Sequence, residues 1–577
     1  MIPKTLVNWF DNLRLQLSRQ DALLILSLLG LLSGFAAGLV IVLFRLLVES
    51  VQSLILPGGL PENYEALSWM IRGLLPLLGG LLLGLMFHRF AEELRVLGVP
   101  RVLERLIYHQ GHLSLRGLIL QFFGAAIAII SGHSVGREGP HVFLGAASGS
   151  LLGQYLSLPN NSIRTLVGCG TAAGISASFD TPLAGVIFAL EVVMMEYTLI
   201  SFIPIMLAAV SANSLSLIVF DGERVFDIGV FQLGSLHELA IILLLGLAAG
   251  AASAAYVHLI QIIGNRTRFV STRLRYALAG LLGGLFGIAV PQVMGIGYDT
   301  VNQILLGEVG FGLLALLVVA KLLATACSIG LGIPGGTIGP ALFIGAALGG
   351  VIAPLPGLLF DGPVSDPGVY ALIGMGAVTA AALQAPLAAL TTAIELTHNP
   401  DIIMPLMLAI VVASLSSREL FGKASMFHTL LETSGRHYHT DPVMQSLRRI
   451  GAARFMNRSF SQIDARVDRD TARRALDQEP EWLIINAPED KKVLMPSVEL
   501  LRTLEQRPDE EQLDLLAIPA TRYELAPIRM QATLQEALEQ LDRKHIDALY
   551  IEWFDSGHYW RIQGVLTRDL IESAYRF

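Results

Sequence analysis

The sequence predicts an all-α polytopic membrane protein that ends in a small soluble α/β domain. Of the 577 residues, 53% are hydrophobic and only 15% are charged, against about 25% charged residues in ordinary soluble domains. Apolar runs fill the chain up to about residue 435, and dense charge follows them. With a mean hydropathy of +0.59, this composition excludes a disordered chain, a coiled coil and a secreted disulfide scaffold.

Composition also limits the partners of this protein. The net charge of −8 offers no general attraction for phosphate, which argues against nucleic acid. Cys169 and Cys327 lie inside apolar stretches, so neither a disulfide framework nor redox chemistry is expected. The sequence has no His-Glu-x-x-His motif and no paired cysteines, and we expect no metal ion and no required cofactor. Membrane lipid is the expected surrounding of the apolar part.

The first elements set the orientation. Residues 1–20 predict a cytoplasmic amphipathic helix and not a cleavable signal peptide, because no small-residue cleavage site follows. Residues 22–47 and 69–87 are each long enough to cross about 30 Å of hydrocarbon. The loop 48–66 between them carries no Lys or Arg, whereas 88–116 carries five arginines. Basic segments favour the cytoplasm, so we expect 48–66 outside, with the N-terminus and 88–116 inside.

Between 117 and about 420, Gly and Pro repeatedly break the apolar runs. The breaks fall at 132–140, 181–182, 332–340 and 385–386. Backbone freed at such breaks must line protein or a water-filled cavity, because lipid cannot satisfy its hydrogen bonds. Broken half-helices that meet near the bilayer centre are typical of transporters and channels.

The breaks are arranged as an internal repeat. Pro182-Leu-Ala-Gly-Val-Ile-Phe-Ala-Leu-Glu191 is similar to Pro386-Leu-Ala-Ala-Leu-Thr-Thr-Ala-Ile-Glu395, 204 residues later. Gly139-Pro140 returns as Gly339-Pro340 after 200 residues. We therefore predict a transmembrane domain over 21–435 in two homologous halves, about 21–220 and 236–435, with a binding site where the halves meet.

The segment Gly132-His-Ser-Val-Gly-Arg-Glu-Gly-Pro140 carries the candidate chemistry. Proline suits the first turn of a helix, and a helix start exposes unpaired N–H groups with a partial positive charge, which together favour an anion. Similar helix starts are expected at Gly98-Val-Pro100, at Gly335-Gly-Thr-Ile-Gly-Pro340 and near Phe427. Glu138 would occupy the anion's position when charged and leave it when protonated. The alternative is that Glu138 pairs with Arg137 in a structural turn.

These motifs resemble the CLC family of chloride channels and chloride/proton exchangers. Gly136-Arg-Glu-Gly-Pro140 matches the family's gating-glutamate motif, and the resemblance covers roughly residues 20–435. It implies a CLC-type inverted repeat of broken and tilted helices, a homodimer, and a bacterial inner (plasma) membrane protein with both termini in the cytoplasm. It also implies that Glu138 is the gate and that the anion is bound by a set of loop residues: Leu97, Gly98, Val99, Pro100, Gly136, Arg137, Gly139, Gly336, Thr337, Ile338 and Phe427.

The departures from the family pattern concern side chains near the anion. Leu97 stands where the family commonly has serine, and Phe427 stands where it has tyrosine, so both expected hydroxyl donors are missing. Anion coordination would then rest on backbone N–H groups alone. Ile338 replaces a usual phenylalanine. The inner glutamate that relays protons in many exchangers aligns with Val192, next to Glu191 as a possible substitute.

We therefore expect transport of chloride, or of a similar anion such as nitrate, bicarbonate or fluoride, with channel-like or weakly coupled flow. A chloride/proton antiporter is the alternative. A membrane-embedded hydrolase using Glu138, His133 and Asp180 is a distant alternative from another class of protein.

The tail 436–577 predicts a soluble pair of similar units. Thr533-Leu-Gln-Glu536 is typical of a capping box that opens a helix over 534–543, followed by strands at 548–551 and 563–566. An earlier unit, 466–476 and then 482–485, has a similar pattern. The tail resembles a CBS-domain pair. In nucleotide-binding CBS modules a Thr and an Asp contact the ribose, which would assign Thr567 and Asp569 to an adenine nucleotide, although this Asp comes one position early. The alternative is that Asp569 only caps the last helix.

Overall fold

The computed structural model describes residues 17, 22–90, 98–222, 226, 232–361, 363–436, 442–489, 491–507, 510–554 and 560–574. The predicted N-terminal helix over 1–20 lies almost wholly outside the described residues. The chain divides into two compact units. One comprises 26–154 and 163–438, and the other the described parts of 1–25, 155–162 and 439–577.

Helices make up the first unit. Among the described residues, seven helices are long and apolar enough to cross a membrane. The helices, in chain order, are α1 (Leu23–Ile55), α2 (Trp69–His88), α3 (Val99–Tyr108), α4 (Leu115–Ile130), α5 (Glu138–Tyr155), α6 (Asn160–Phe179), α7 (Pro182–Phe188), α8 (Leu199–Val219), α9 (Leu239–Thr267), α10 (Thr272–Ala289), α11 (Tyr298–Leu305), α12 (Phe311–Gly330), α13 (Ile338–Ile352), α14 (Leu355–Leu359), α15 (Pro367–Leu383), α16 (Pro386–Thr397), α17 (Ile403–Leu415) and α18 (Met426–Thr433).

The first helix is longer than the sequence predicted. We expected a loop from residue 48, but α1 continues to Ile55. The charged and polar side chains of its last turns find partners that allow the helix to continue. Arg45 Nε donates to Glu49 Oε1 at 2.5 Å, one turn later, and Gln52 Nε2 donates to the Tyr64 hydroxyl at 2.9 Å.

The four predicted breaks fall between helices, and the two halves pack alike around them. Gly145 of α5 lies so close to Gly170 of α6 that an added Cβ would stand 2.0 Å from the Gly170 carbonyl oxygen. In the second half, Gly345 of α13 approaches Gly374 of α15 in the same way, with 2.3 Å to the carbonyl oxygen. Glycine at all four positions allows the helix backbones to touch.

The second unit is a small α/β domain, as the sequence predicted. Its strands are β1 (Phe460–Asp464), β2 (Arg466–Asp468), β3 (Trp482–Asn486), β4 (Lys492–Pro496), β5 (Gln512–Asp514), β6 (Tyr523–Arg529), β7 (Ala548–Phe554) and β8 (Trp560–Thr567). The main sheet has the order β1-β3-β4-β6-β7-β8, in which β1 and β3, and likewise β6 and β7, are parallel. The capping box is confirmed: Thr533 accepts from the Glu536 N–H and Glu536 accepts from the Thr533 N–H. The helices are α19 (Pro442–Arg448), α20 (Ala452–Phe455), α21 (Arg469–Leu476), α22 (Ser497–Gln506), α23 (Leu534–Lys544) and α24 (Arg568–Ser573).

Candidate functional site

The two glycine loops meet at the centre of the first unit. Gly136 and Gly336 form an antiparallel bridge, with N–H to O distances of 2.8 Å and 2.7 Å in the two directions. A Cβ atom on Gly139 would lie only 2.8 Å from the Gly336 Cα atom. The loops that lead into α5 and α13 therefore cross with their backbones in contact, which brings the two helix starts to one place.

Glu138 is fully buried at this crossing. Its Oε2 accepts a hydrogen bond from the Gly339 N–H at 3.1 Å, and its Oε1 accepts one from the Tyr298 hydroxyl. The Gly339 N–H belongs to the first turn of α13, where backbone donors have no partner within the helix. The carboxylate thus occupies the position at which a helix start would bind an anion.

Arg137 has hydrogen-bond partners other than Glu138. Its guanidinium lies 3.5 Å from Glu49 Oε1 and 3.4 Å from the Ser178 carbonyl oxygen, and 5.3 Å from the centre of the Tyr298 ring. The structural turn in which Arg137 pairs with Glu138 is therefore the wrong interpretation, because the hydrogen bonds of Arg137 go to other residues.

A cavity of about 460 Å³, which we call the larger cavity, brings most of the predicted anion-binding residues together. The hydroxyl of Thr337 is buried and has no hydrogen-bond partner among the described residues. A buried donor without a partner is costly, so this hydroxyl is available to a bound anion. The predicted residues that line the larger cavity are Gly98, Val99, Pro100, Gly139, Gly336, Thr337 and Phe427.

Other predicted residues lie differently. Gly98, with a φ of 73° at the start of α3, donates its N–H to Gln121 Oε1 at 2.7 Å, so this donor already has a partner. The Ile338 side chain lines a separate apolar cavity. Phe427 is buried with its ring edge-on to Phe188, at 6.4 Å between centroids. Leu97 lies outside the described residues.

A smaller cavity of about 250 Å³ contains residues that the sequence analysis missed. It is lined by Arg137 and Tyr298, which neighbour Glu138, and by Glu62 from the loop between α1 and α2. Glu62 Oε2 accepts the N–H of Tyr298 at 3.0 Å. Glu138 lines neither cavity, but Arg137 before it lines the smaller cavity and Gly139 after it lines the larger one. The internal repeat could have indicated Tyr298, because Gly297-Tyr298 opens a short helix 199 residues after Gly98-Val99.

The carboxylates at the ends of the repeated motif cap each other's helices. Glu191 accepts the N–H groups of Leu387 and Ala388 at 3.2 Å and 2.7 Å. Glu395 accepts those of Leu183 and Ala184 at 2.9 Å and 2.7 Å. Each carboxylate therefore stabilises the helix start of the opposite half. Val192, beside Glu191, is buried and apolar.

Of the residues that a hydrolase would use, Ser134 and Asp180 have other partners. Gly132-His-Ser-Val-Gly136 does have the Gly-x-Ser-x-Gly spacing of hydrolase nucleophiles, which the sequence analysis passed over. That motif requires a strand-to-helix turn, whereas this segment follows α4. Ser134 Oγ is bonded to Thr325 Oγ1 at 2.8 Å, and Asp180 accepts from Asn213 at 2.6 Å.

In the second unit, Thr567 ends β8 and Asp569 lies in the first turn of α24. The side chain of Thr567 is half-buried and that of Asp569 is exposed. Between them, Arg568 donates to Asp542 at 2.8 Å and to Asp547 at 3.2 Å.

Comparison with known proteins assigns the family. The family model described as voltage gated chloride channel matches residues 79–418. A protein of Ralstonia nicotianae, provisionally named a ClcB-like chloride channel protein, is 36% identical over 396 residues, covering 67% of this chain and 92% of the relative. The H(+)/Cl(-) exchange transporter ClcA of Vibrio cholerae is 31% identical over 438 residues, covering 73% of this chain and 91% of the relative.

Solved structures share the fold. A slow cyanobacterial Cl-/H+ antiporter superposes with a TM-score of 0.62 at 24% identity, covering 71% of this chain and 97% of that one. A eukaryotic CLC transporter superposes with a TM-score of 0.61 at 20% identity, covering 95% and 98%. The family match includes both crossing loops and Glu138. This chain belongs to the CLC family, so it is a membrane protein that transports anions and not an enzyme.

Proposed function

We propose that this chain exchanges chloride, or a similar small anion, for protons. The observation that carries the proposal is the closed position of Glu138 at the start of α13. A carboxylate and an anion cannot occupy this position together, so the anion enters only after Glu138 has left. Protonation removes the charge that the helix start stabilises. Proton binding and anion binding are then linked at one position.

Exchange replaces the channel-like or weakly coupled flow that the sequence favoured. That expectation rested on Val192, which offers no ionisable group for a proton. The Vibrio cholerae relative is named an exchanger, whereas the Ralstonia relative is named a channel. Because Glu191 is committed to capping α16, we assign the inner proton route to water in the larger cavity, which spares the proton a passage through hydrocarbon.

The anion ligands that we propose combine backbone and one hydroxyl. The starts of α5 and α13 provide N–H groups, with Gly136, Gly139 and Gly336 allowing their close approach. Thr337 supplies a hydroxyl, which Leu97 and Phe427 cannot. Coordination by backbone alone, as the sequence implied, is therefore not our proposal.

Orientation and assembly follow the family in our proposal. The larger cavity is lined by Arg101, Arg268, Arg275 and Arg436, and basic residues favour the cytoplasmic side. We place this cavity inside, the smaller cavity outside and both termini in the cytoplasm of a bacterial inner membrane. A homodimer, and a CBS pair that binds an adenine nucleotide through Thr567 and Asp569, complete the proposal.

The test is simultaneous recording of chloride and proton movement in proteoliposomes. An imposed chloride gradient is expected to drive protons against their own gradient. In Glu138→Gln, which imitates the neutral carboxyl, chloride flux is expected to persist while proton movement and most of the pH dependence disappear. Chloride flux without proton movement in the wild type would establish passive flow. A Glu138→Gln variant as pH-sensitive as the wild type would remove Glu138 from the mechanism.

A further inference from the structure

The side chain of Tyr298 offers Glu138 a donor from the opposite half of the repeat. Tyr298 is the first residue of α11 and is almost fully buried. Its hydroxyl donates to Glu138 Oε1, while the Gly339 N–H donates to Oε2. Both oxygens of the carboxylate thus accept a hydrogen bond, one from a backbone N–H and one from a side chain.

The Tyr298 ring is held firmly enough to aim this hydroxyl. It packs edge-on against Phe226 with centroids 5.0 Å apart, and near Phe179 at 6.3 Å. The Arg137 guanidinium lies over the ring at 5.3 Å. The backbone is fixed as well, because Glu62 accepts the Tyr298 N–H. Such packing limits the rotamers of the ring and keeps the donor in place.

Other charged and titratable groups act on Glu138 without a hydrogen bond to it. Arg137 precedes it, Tyr256 of α9 and Lys321 of α12 lie within its electrostatic reach, and Glu62 lies beyond Tyr298. The Tyr256 hydroxyl donates to the Thr337 carbonyl at 3.4 Å. Lys321 Nζ donates to three carbonyls, those of Val293, Gly295 and Ile296. Among the described side chains, only Tyr298 donates a hydrogen bond to this carboxylate.

We propose that Tyr298 is a positioning residue for transport, and that its hydroxyl holds the Glu138 carboxylate in the closed position and sets the pH at which it opens. The inference rests on the proposed role of Glu138. A hydroxyl that donates to the charged carboxylate favours the charged, closed form. Without the hydroxyl, protonation and opening occur at higher pH. Half-maximal chloride flux in Tyr298→Phe is therefore expected to shift upward by about one to two pH units.

The experiment compares Tyr298→Phe with a matched control in proteoliposomes at a series of pH values. Phenylalanine retains the ring packing and removes only the hydroxyl. Tyr370→Phe is the control, because the Tyr370 hydroxyl is also buried and donates to a carboxylate, Glu238 Oε2 at 2.5 Å, away from the site. The control is expected to keep the wild-type midpoint. An unchanged midpoint in Tyr298→Phe would overturn the inference.

Two further measurements keep the result interpretable. Introducing 3,5-difluorotyrosine at position 298 makes the hydroxyl a stronger donor without changing its place, and the midpoint is expected to move to lower pH. No movement would contradict the inference even if Tyr298→Phe failed to fold. Adding Tyr298→Phe to Glu138→Gln is expected to change the pH profile no further. If Glu138→Gln itself remained pH-sensitive, the proposed function would fail and not only the role of Tyr298.

Discussion

At the scale of single residues, we expect the hydroxyl of Thr337 to affect how tightly the anion is bound. It is the buried hydroxyl of the larger cavity without a partner among the described residues. A hydrogen bond to a charged group contributes about 1.5–3 kcal/mol. Thr337→Val, which replaces the hydroxyl by a methyl group, is expected to weaken chloride binding by about tenfold or more, measured by calorimetry.

The chain offers a matched control and a complementary variant. Thr379 also has a buried hydroxyl without a partner among the described residues, but it lines the apolar cavity. Thr379→Val should leave chloride binding unchanged. Phe427→Tyr adds a hydroxyl at the larger cavity and should tighten binding. Equal affinities in Thr337→Val and the wild type would show that the anion does not contact this side chain.

A second prediction at this scale concerns Glu62. Burial, and after it the neighbouring Asp299 carboxylate, raise the pKa of Glu62 from its ordinary value of 4.5 to about 7. Between these values the folded protein binds more protons than the unfolded chain, so stability falls as pH rises through this range. Glu62→Gln cannot lose a proton and removes that dependence.

The measurement is the thermal unfolding midpoint in detergent between pH 5 and 8. The wild type is expected to lose more stability than Glu62→Gln as the pH rises. Parallel curves for the two proteins would mean that Glu62 keeps an ordinary carboxyl titration in the folded state.

At the scale of helices, the reciprocal caps by Glu191 and Glu395 join the two halves. Each carboxylate accepts two N–H groups at the first turn of the opposite half's helix. Replacing either by Gln removes the charge that favours this position, at a cost of about 1–3 kcal/mol. Both variants are expected to unfold at lower temperature in differential scanning calorimetry, with an unchanged ratio of chloride to protons transported.

The two variants serve as controls for one another. If Glu191 only caps a helix, Glu191→Gln and Glu395→Gln should behave alike in stability and in coupling. A loss of proton movement in Glu191→Gln alone, at unchanged stability, would instead make Glu191 the inner proton carrier.

Local patterns explain why these helices and breaks could be predicted. The breaks at 132–140 and 332–340 are predictable because the Gly and Pro residues that cause them lie in the same short segments. The Thr533 capping box likewise requires only the residues of one turn. The extension of α1 to Ile55 was missed because the pair of Arg45 and Glu49 makes charged residues compatible with the helix. In the sequence pattern, such charged residues indicate the end of the apolar run.

At the scale of the whole molecule, the site depends on contacts that local patterns cannot specify. The sequence identified Glu138 and its loop, because their glycines and proline are neighbours in the chain. The similar positions of Glu191 and Glu395 suggested a shared structural role at a helix end. The sequence did not identify the helix starts that they cap, which are 196 residues or more away, or Tyr298, which is 160 residues away from Glu138. Such pairs become visible only when the two halves are folded against each other.

The contact between Gly136, Gly139 and Gly336 has a consequence for how such a protein evolves. A Cβ on Gly336 would lie 2.6 Å from the Gly139 nitrogen, and one on Gly139 would lie 2.8 Å from the Gly336 Cα. A substitution in one loop cannot be compensated in the other, because the partner glycine has no side chain to shorten. The two copies of the repeat can differ at other positions, as Glu138 and its counterpart Ile338 show. At the contacting glycines both copies are restricted together, because neither loop has space for a Cβ atom.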